Sequence, residues 1–361
     1  MSFNEEKRNA IKKYMLEKIR KDDENFIRKT AETFVISETS VRRYLKSCEE
    51  ERIISVDPTK YCRYILSTVE KTGTLKNDGS LEEDRIFFSN VRPLLENLPK
   101  NVLDIWSYVF AEIMNNAIEH SEATEIKYSI KRDCLYTEVS ILDNGIGIFK
   151  SIQDFIEKEE NKQIDIEQAM LELYKGKLTT NPSCHSGEGI FFSSKMLTEF
   201  AILSDNTIFS FRSDEKEKFV QSHLISYYTK LKKVGTMVVM RLENDTITTS
   251  KDVFDSFAPL EEGFIKTLIP MREVCPLGNP VARSQARRVL KRLDEFQEVI
   301  FDFNGIEFMG QGFADEIFRV FQNAHPDIVL RPINANEEVL GMIQHVIRAY
   351  WIIVKKQESG R

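Results

Sequence analysis

Three observations on this chain predict a multi-domain α+β protein. Its 361 residues exceed what one ordinary core organises, since domains average about 150 residues. Charge is unevenly spread: residues 1–60 hold 14 Lys and Arg against 12 Asp and Glu, and the acidic excess behind the net charge of −7 lies further on. The hydrophobic period also changes, from helical spacing at the start, to alternation near residue 130, to strand-then-helix after residue 265. The boundaries read as 1–66, a connector over 67–84, a central unit over 85–245, a second connector over 246–264, and a third unit over 265–361.

Composition excludes several classes. No apolar run approaches the roughly 20 residues that cross a bilayer, so no membrane partner is expected. The start, MSFNEEKRNAIKKYMLEKIRKDDE, is too charged for a secretory signal. Five cysteines (Cys48, Cys62, Cys134, Cys184, Cys275) contain no CxxC pair, which argues against a zinc site and a disulfide framework and for a reducing cytoplasm. The acidic balance speaks against nucleic-acid binding by the whole chain and leaves one basic module open.

The first 66 residues read as helix, short helix, turn, helix and hairpin. SETSVRRYLKSCEEE begins with hydroxyl residues that can cap a helix. Its spacing buries Val41, Leu45 and Cys48 and turns Ser40, Arg42, Arg43 and Lys46 outward. RIISV and YCRYIL then form a two-stranded wing. The segment resembles a winged helix-turn-helix, which implies duplex DNA as partner and those four outward residues as its contacts. A small helical domain with a solvated charged face, or a protein-contact unit, accounts for the same pattern. Residues 67–84, polar with two glycines, read as the connector.

Residues 102–120 read as one helix. Val102, Ile105, Trp106, Val109, Phe110, Ile113, Met114 and Ala117 recur at spacings of three and four, an apolar stripe. Glu112, Asn115, Asn116, Glu119 and His120 share the opposite face. Asn costs a helix interior about 0.5–0.7 kcal/mol relative to Ala, so a merely solvated face would favour Lys, Glu, Gln or Arg. EIKYSIKRD and CLYTEVSILDNG then alternate as hairpin strands, the second ending in DNGIGI with Asp143, Gly145 and Gly147. A loop region follows, with Gly187 and Gly189 entering an apolar helix, a setting that suits anions. Gly235 and Thr236 open a last strand.

The ordered set of ExxxNA on a helix, DxGxG after a strand, GxG into a helix and GT into a strand resembles the GHKL superfamily of gyrase, heat-shock-chaperone, histidine-kinase and MutL ATP-binding domains. The resemblance covers about residues 85–243. It implies a Bergerat α/β sandwich binding ATP and Mg²⁺. Asp143 would accept the adenine amino group, with Thr236 on the same edge. Asn116 would offer an oxygen to Mg²⁺, and Glu112 would orient or deprotonate the attacking group. Gly145, Gly147, Gly187 and Gly189 would shape the pocket and its lid. Lys177, Thr179 and His185 either touch phosphate or belong to a solvated loop. His120 is either a supporting partner or the end of the polar stripe, and Lys195 reads as a surface lysine.

No histidine precedes His120, which argues against autophosphorylation of the histidine-kinase kind. The arrangement is closer to the anti-sigma-factor serine kinases and stand-alone ATPases. VIFDFNGIEFMGQGFADEIFRVF resembles a STAS-like domain, the fold of anti-anti-sigma factors, and implies a protein partner there. Those proteins carry a phosphorylated serine at the start of the helix; here Gly310-Gln311-Gly312 has no hydroxyl. Gln311 and Asp315 remain as a polar contact surface or a simple helix start. The expected function is an ATP-binding regulator with slow hydrolysis, against a serine kinase acting on a separate STAS partner or a non-hydrolysing scaffold. A homodimer is compatible with all three.

Overall fold

The computed structural model describes residues 5–57, 63–161, 163–177, 188–212, 235–275 and 279–358. Helices α1 (Glu5–Arg20), α2 (Phe26–Phe34) and α3 (Glu38–Glu50) pack with strands β1 (Ile54–Val56) and β2 (Tyr64–Leu66). The Ser37 side chain caps α3 by accepting from the Ser40 amide at 3.2 Å. Val41, Leu45 and Cys48 face Met15, Leu16, Ile19 and Phe26 in a small core of their own. β1 and β2 pair antiparallel, Ile54 opposite Leu66.

The central feature is a six-stranded antiparallel sheet in the order β3-β4-β5-β8-β6-β7. Its strands are β3 (Val69–Lys76), β4 (Glu125–Arg132), β5 (Tyr136–Asp143), β6 (Glu199–Ser204), β7 (Thr207–Arg212) and β8 (Thr236–Glu243). The connector expected over 67–84 is therefore corrected: residues 69–76 form the edge strand, Val69 opposite Arg132 and Lys76 opposite Glu125. An edge strand with one solvated face needs little apolar sequence, which is why VEKTGTLK reads as a linker.

Short helices α4 (Glu83–Ile86) and α5 (Arg92–Leu95) lead into α6 (Lys100–Asn115), which continues as a π-helical turn over Asn116–His120. The stripe from Val102 to Met114 is buried. Helices α7 (Ile148–Glu160), α8 (Ile166–Lys175) and α9 (Gly189–Met196) complete the layer that covers one sheet face, α8 held at its start by an Asp165 cap. The second expected connector, 246–264, contains helix α10 (Ser250–Phe257), whose Thr249 and Asp252 form a reciprocal capping box. Phe254 packs on Tyr108 and Phe192, so this segment belongs to the core.

A second, parallel sheet has the order β11-β10-β9: β9 (Lys266–Pro270), β10 (Glu298–Asp302) and β11 (Val329–Ile333). Around it lie α11 (Met271–Val274), α12 (Arg283–Leu290), α13 (Gln311–Asp315), which continues through a π turn into α14 (Gln322–Ala324), and α15 (Glu337–Glu358). One continuous apolar core joins this unit to the antiparallel sheet and its helices.

The N-terminal unit docks on the β4–β5 hairpin. The Tyr136 hydroxyl donates to Glu17 at 2.7 Å, and the Arg20 guanidinium lies 4.1 Å from the Tyr136 ring centroid and 3.4 Å from Asp133. Lys13 bridges Glu243 and Asp245 at 3.1 and 3.0 Å. No described helix is long and apolar enough to cross a membrane.

Candidate functional site: a polar cavity beneath helix α6

A cavity of about 360 Å³ opens between α6, the ends of β5 and β8, and the starts of α7 and α9. Glu112, Asn116 and His120, one helical turn apart on α6 and its π turn, line one wall. Asp143, Gly147 and Thr236 line another, and Glu188 and Gly189 a third. Apolar walls come from Ile113, Ile141, Ile148, Leu173, Ile202 and Val238. The π turn begins at Asn116, and such local widening of a helix recurs at functional positions. Asn115 and Glu119, the other members of the polar stripe, do not line the cavity.

Asp143 is 5 % exposed at the end of β5. Its Oδ1 accepts from the backbone N–H of Gly145 at 2.8 Å and of Thr236 at 3.2 Å. Burial pushes its carboxyl pKa up to about 6, with those backbone donors pulling the other way. Both bonds use one oxygen, so the carboxylate is held in a fixed orientation beside the cavity. Burial, then the Glu112 and Glu188 carboxylates, also raise the phenol of Tyr108, which lines the α6 wall one turn before Glu112.

The Thr236 hydroxyl, expected on a ligand edge, accepts from the Ile148 amide at 3.0 Å. Ser204 Oγ accepts from the same amide at 3.2 Å and donates to Asp205 at 2.9 Å. Asp205 in turn accepts from the Lys150 amide at 3.1 Å. Two orphan donors of the first turn of α7, the Ile148 and Lys150 amides, are thus satisfied by the β6–β7 turn and β8. Gly147 precedes this helix with φ of 86°, a conformation that favours glycine. At Gly189 a Cβ would sit 2.0 Å from Oε2 of Glu112, the far end of a flexible side chain that would have to swing aside. The start of α9 therefore abuts the one carboxylate of the α6 wall.

Of the residues expected at a site, Glu112, Asn116, His120, Asp143, Gly147, Gly189 and Thr236 surround this cavity. Gly145 stands behind it, its amide serving Asp143. Gly187, His185 and Thr179 lie outside the described residues. Lys177 is a correction. Its Nζ donates to the Glu295 carbonyl oxygen at 2.6 Å and lies 4.3 Å from the Phe296 ring centroid, facing the third unit and not the cavity. Lys195 is another, being half-buried with its Nζ 3.5 Å from the Phe211 ring centroid, and burial holds its pKa well below the usual lysine range. Tyr108, Ser204 and Asp205 were not anticipated. The polar Ser-Asp-Asn turn at 204–206 was the available signal for the last two.

On α3, Arg42, Arg43 and Lys46 are exposed, and Ser40 is half-buried with its hydroxyl 3.0 Å from that of Ser37. Arg42 lies 3.6 Å from Glu38 and Lys46 3.7 Å from Glu50. Glu49 is exposed on the same helix. The face is charge-balanced, not a cationic stripe.

In the third unit Gln311 is exposed at the start of α13. Asp315 is drawn into ion pairs with Arg283 at 2.9 Å and with Arg319, which hold its carboxyl below the usual range. Glu316, nearly buried, pairs with Arg287 at 2.7 Å and Arg283 at 3.1 Å. The polar surface expected at Asp315 is thus largely consumed within the unit. A Cβ on Gly310 would lie 2.7 Å from the Val281 carbonyl oxygen, so neighbouring backbone fills the space a side chain would need.

Residues 285–340 match the family model of a STAS-like domain of unknown function (DUF4325). The match runs from α12 into the start of α15 and includes β10 and β11. The C-terminal domain is therefore STAS-like, within a mixed α+β chain. No curated protein matches the chain.

Proposed function

We propose that the antiparallel sheet and its helices form a GHKL-type ATP-binding unit, and that the chain is a slow ATPase switch acting on a winged-helix N-terminal unit. One observation carries this reading: Glu112 with Asn116, Asp143, Gly189 and Thr236, from four separate stretches of sequence, line a single cavity. Asp143 has one oxygen fixed by two backbone donors, which leaves the other to accept an exocyclic amino group. Guanine presents an acceptor there, and sites built on such a bond discriminate by about 10⁴–10⁵. Backbone amides at the start of α9 suit phosphate.

Among the described residues no group of three His, Cys, Asp or Glu could cage a metal by itself. The oxygens of Asn116 and Glu112 on one cavity wall suit Mg²⁺, a hard cation that takes few protein oxygens and keeps several waters. Asn116 would hold the ion through its neutral amide oxygen, and a bound Mg²⁺ would offset phosphate charge. Glu112 is the group placed to orient a nucleophile and take its proton on a carboxylate oxygen.

The N-terminal unit, by this account, contacts DNA or a protein partner through α3, and the STAS-like domain contacts a protein. Calorimetry with the full chain tests the reading: Mg-ATP is expected to bind and Mg-GTP to bind far more weakly. Absence of ATP binding would overturn it. Phosphate released to solvent supports the ATPase switch, whereas label passed from γ-labelled ATP to a STAS-domain protein supports the kinase alternative.

A further inference from the structure

The cavity wall and the STAS-like domain meet at a joint that ATP recognition itself does not use. Leu173, near the end of α8, lines the cavity. Two residues on, Lys175 is 3 % exposed. Its Nζ donates to Glu172 at 2.8 Å and to the Lys291 carbonyl oxygen at 2.5 Å, and its own carbonyl accepts from the Thr267 hydroxyl at 2.9 Å. Lys177 then reaches the Glu295 carbonyl oxygen at 2.6 Å. A second route leaves the cavity through α9. Phe192 lines the cavity, its ring lies 5.2 Å from Phe264, and Phe264 meets Phe296 edge-on at 5.4 Å. Both routes end on the short segment 291–296 between α12 and β10.

We propose that segment 291–296 of the STAS-like domain reads the occupancy of the cavity, and that its packing in turn sets the cavity's affinity for nucleotide. The inference rests on the nucleotide reading and adds where its output goes. The joint is built for transmission: Lys175 and Glu172 are both buried, and losing one partner of such a pair leaves an uncompensated charge. Close-packed interiors pass on a displacement because they cannot absorb it. Coupling of two sites is reciprocal in free energy, so a change made at the segment must appear at the cavity.

Two measurements on the full chain test this, with Mg²⁺ and a non-hydrolysable ATP analogue. In wild-type protein, amide exchange over 291–296 is expected to slow at least about fivefold on ligand addition, the lower end of ordinary coupling. The double variant Thr267→Val/Lys177→Met, which removes one hydroxyl and one ammonium while keeping most of the side-chain volume, is expected to shift the analogue's Kd by about fivefold or more. Binding of the analogue with unchanged exchange overturns the joint and leaves the nucleotide reading standing. An unchanged Kd in the folded double variant does the same. No binding by wild type overturns both.

Discussion

Helices α6 and α3 each turn a polar face away from an apolar stripe, and they differ in what that face meets. On α6, Glu112, Asn116 and His120 converge with Asp143 on one concavity, and the buried carboxyl has a pKa raised to about 6. On α3, Arg42 and Lys46 stand 62 % and 76 % exposed, each beside a glutamate one turn away. The lesson is that convergence and desolvation mark a site, while charge alone does not. A solvated i,i+4 pair is worth about 0.3–0.5 kcal/mol; a carboxyl removed from water changes its chemistry.

The contrast can be broken most decisively at Glu112. Glu112→Gln is expected to lower the rate of phosphate release by about 10²–10⁴ while nucleotide still binds, as removal of a general base does. Steady-state phosphate assays beside calorimetry check it, and loss of binding together with turnover would make Glu112 a binding group instead. Asp143→Asn comes next. Replacing the acceptor should weaken ATP binding by about 100-fold, since it unpairs a charge-assisted bond in a desolvated place. Stability should not fall. A carboxyl whose folded pKa exceeds its ordinary 3.8 favours folding most below that value and loses this contribution as pH rises through about 6. At neutral pH the native carboxylate is therefore a burden, and chemical denaturation should show the Asn variant equal to wild type or more stable.

The same titration sharpens the comparison in wild type. ATP affinity should rise by roughly tenfold between about pH 5 and pH 7 as Asp143 ionises, a slope that Asp143→Asn should flatten. The smallest effect is expected on α3. Arg42→Ala/Arg43→Ala should weaken duplex DNA binding by about threefold at low salt, less as salt rises, and leave ATP binding untouched. Fluorescence anisotropy across a salt series checks this. Wild-type indifference to DNA at low salt would make α3 a protein contact.

What could be read from sequence follows from how local each signal is. The stripe on α6, the alternation of β4 and β5, and the Ser37 cap are set by neighbours in sequence and were legible. So was the grouping of Glu112 with Asn116, because one helical turn fixes it. β3 was missed because the half-exposed strand carries Lys, Glu and Thr where an inner strand would carry Val or Ile, and its pairing partner lies some 50 residues on. Lys177 and Lys195 were misread for a similar reason. Their surroundings are supplied partly by residues far along the chain, such as Phe296 for Lys177, and no local pattern announces such company. The Ser204–Asp205 support of α7 is likewise a tertiary arrangement, visible beforehand only as a turn.

Strand β5 has one end at Tyr136, where the N-terminal unit is moored, and the other at Asp143 beside the cavity. Its eight residues span about 24 Å at roughly 3.4 Å per step, and it is hydrogen-bonded on both sides along that length. A strand so flanked is stiff along its axis and behaves as a strut. The carboxylate and the mooring point of the first three helices are thus the two ends of one doubly paired strand.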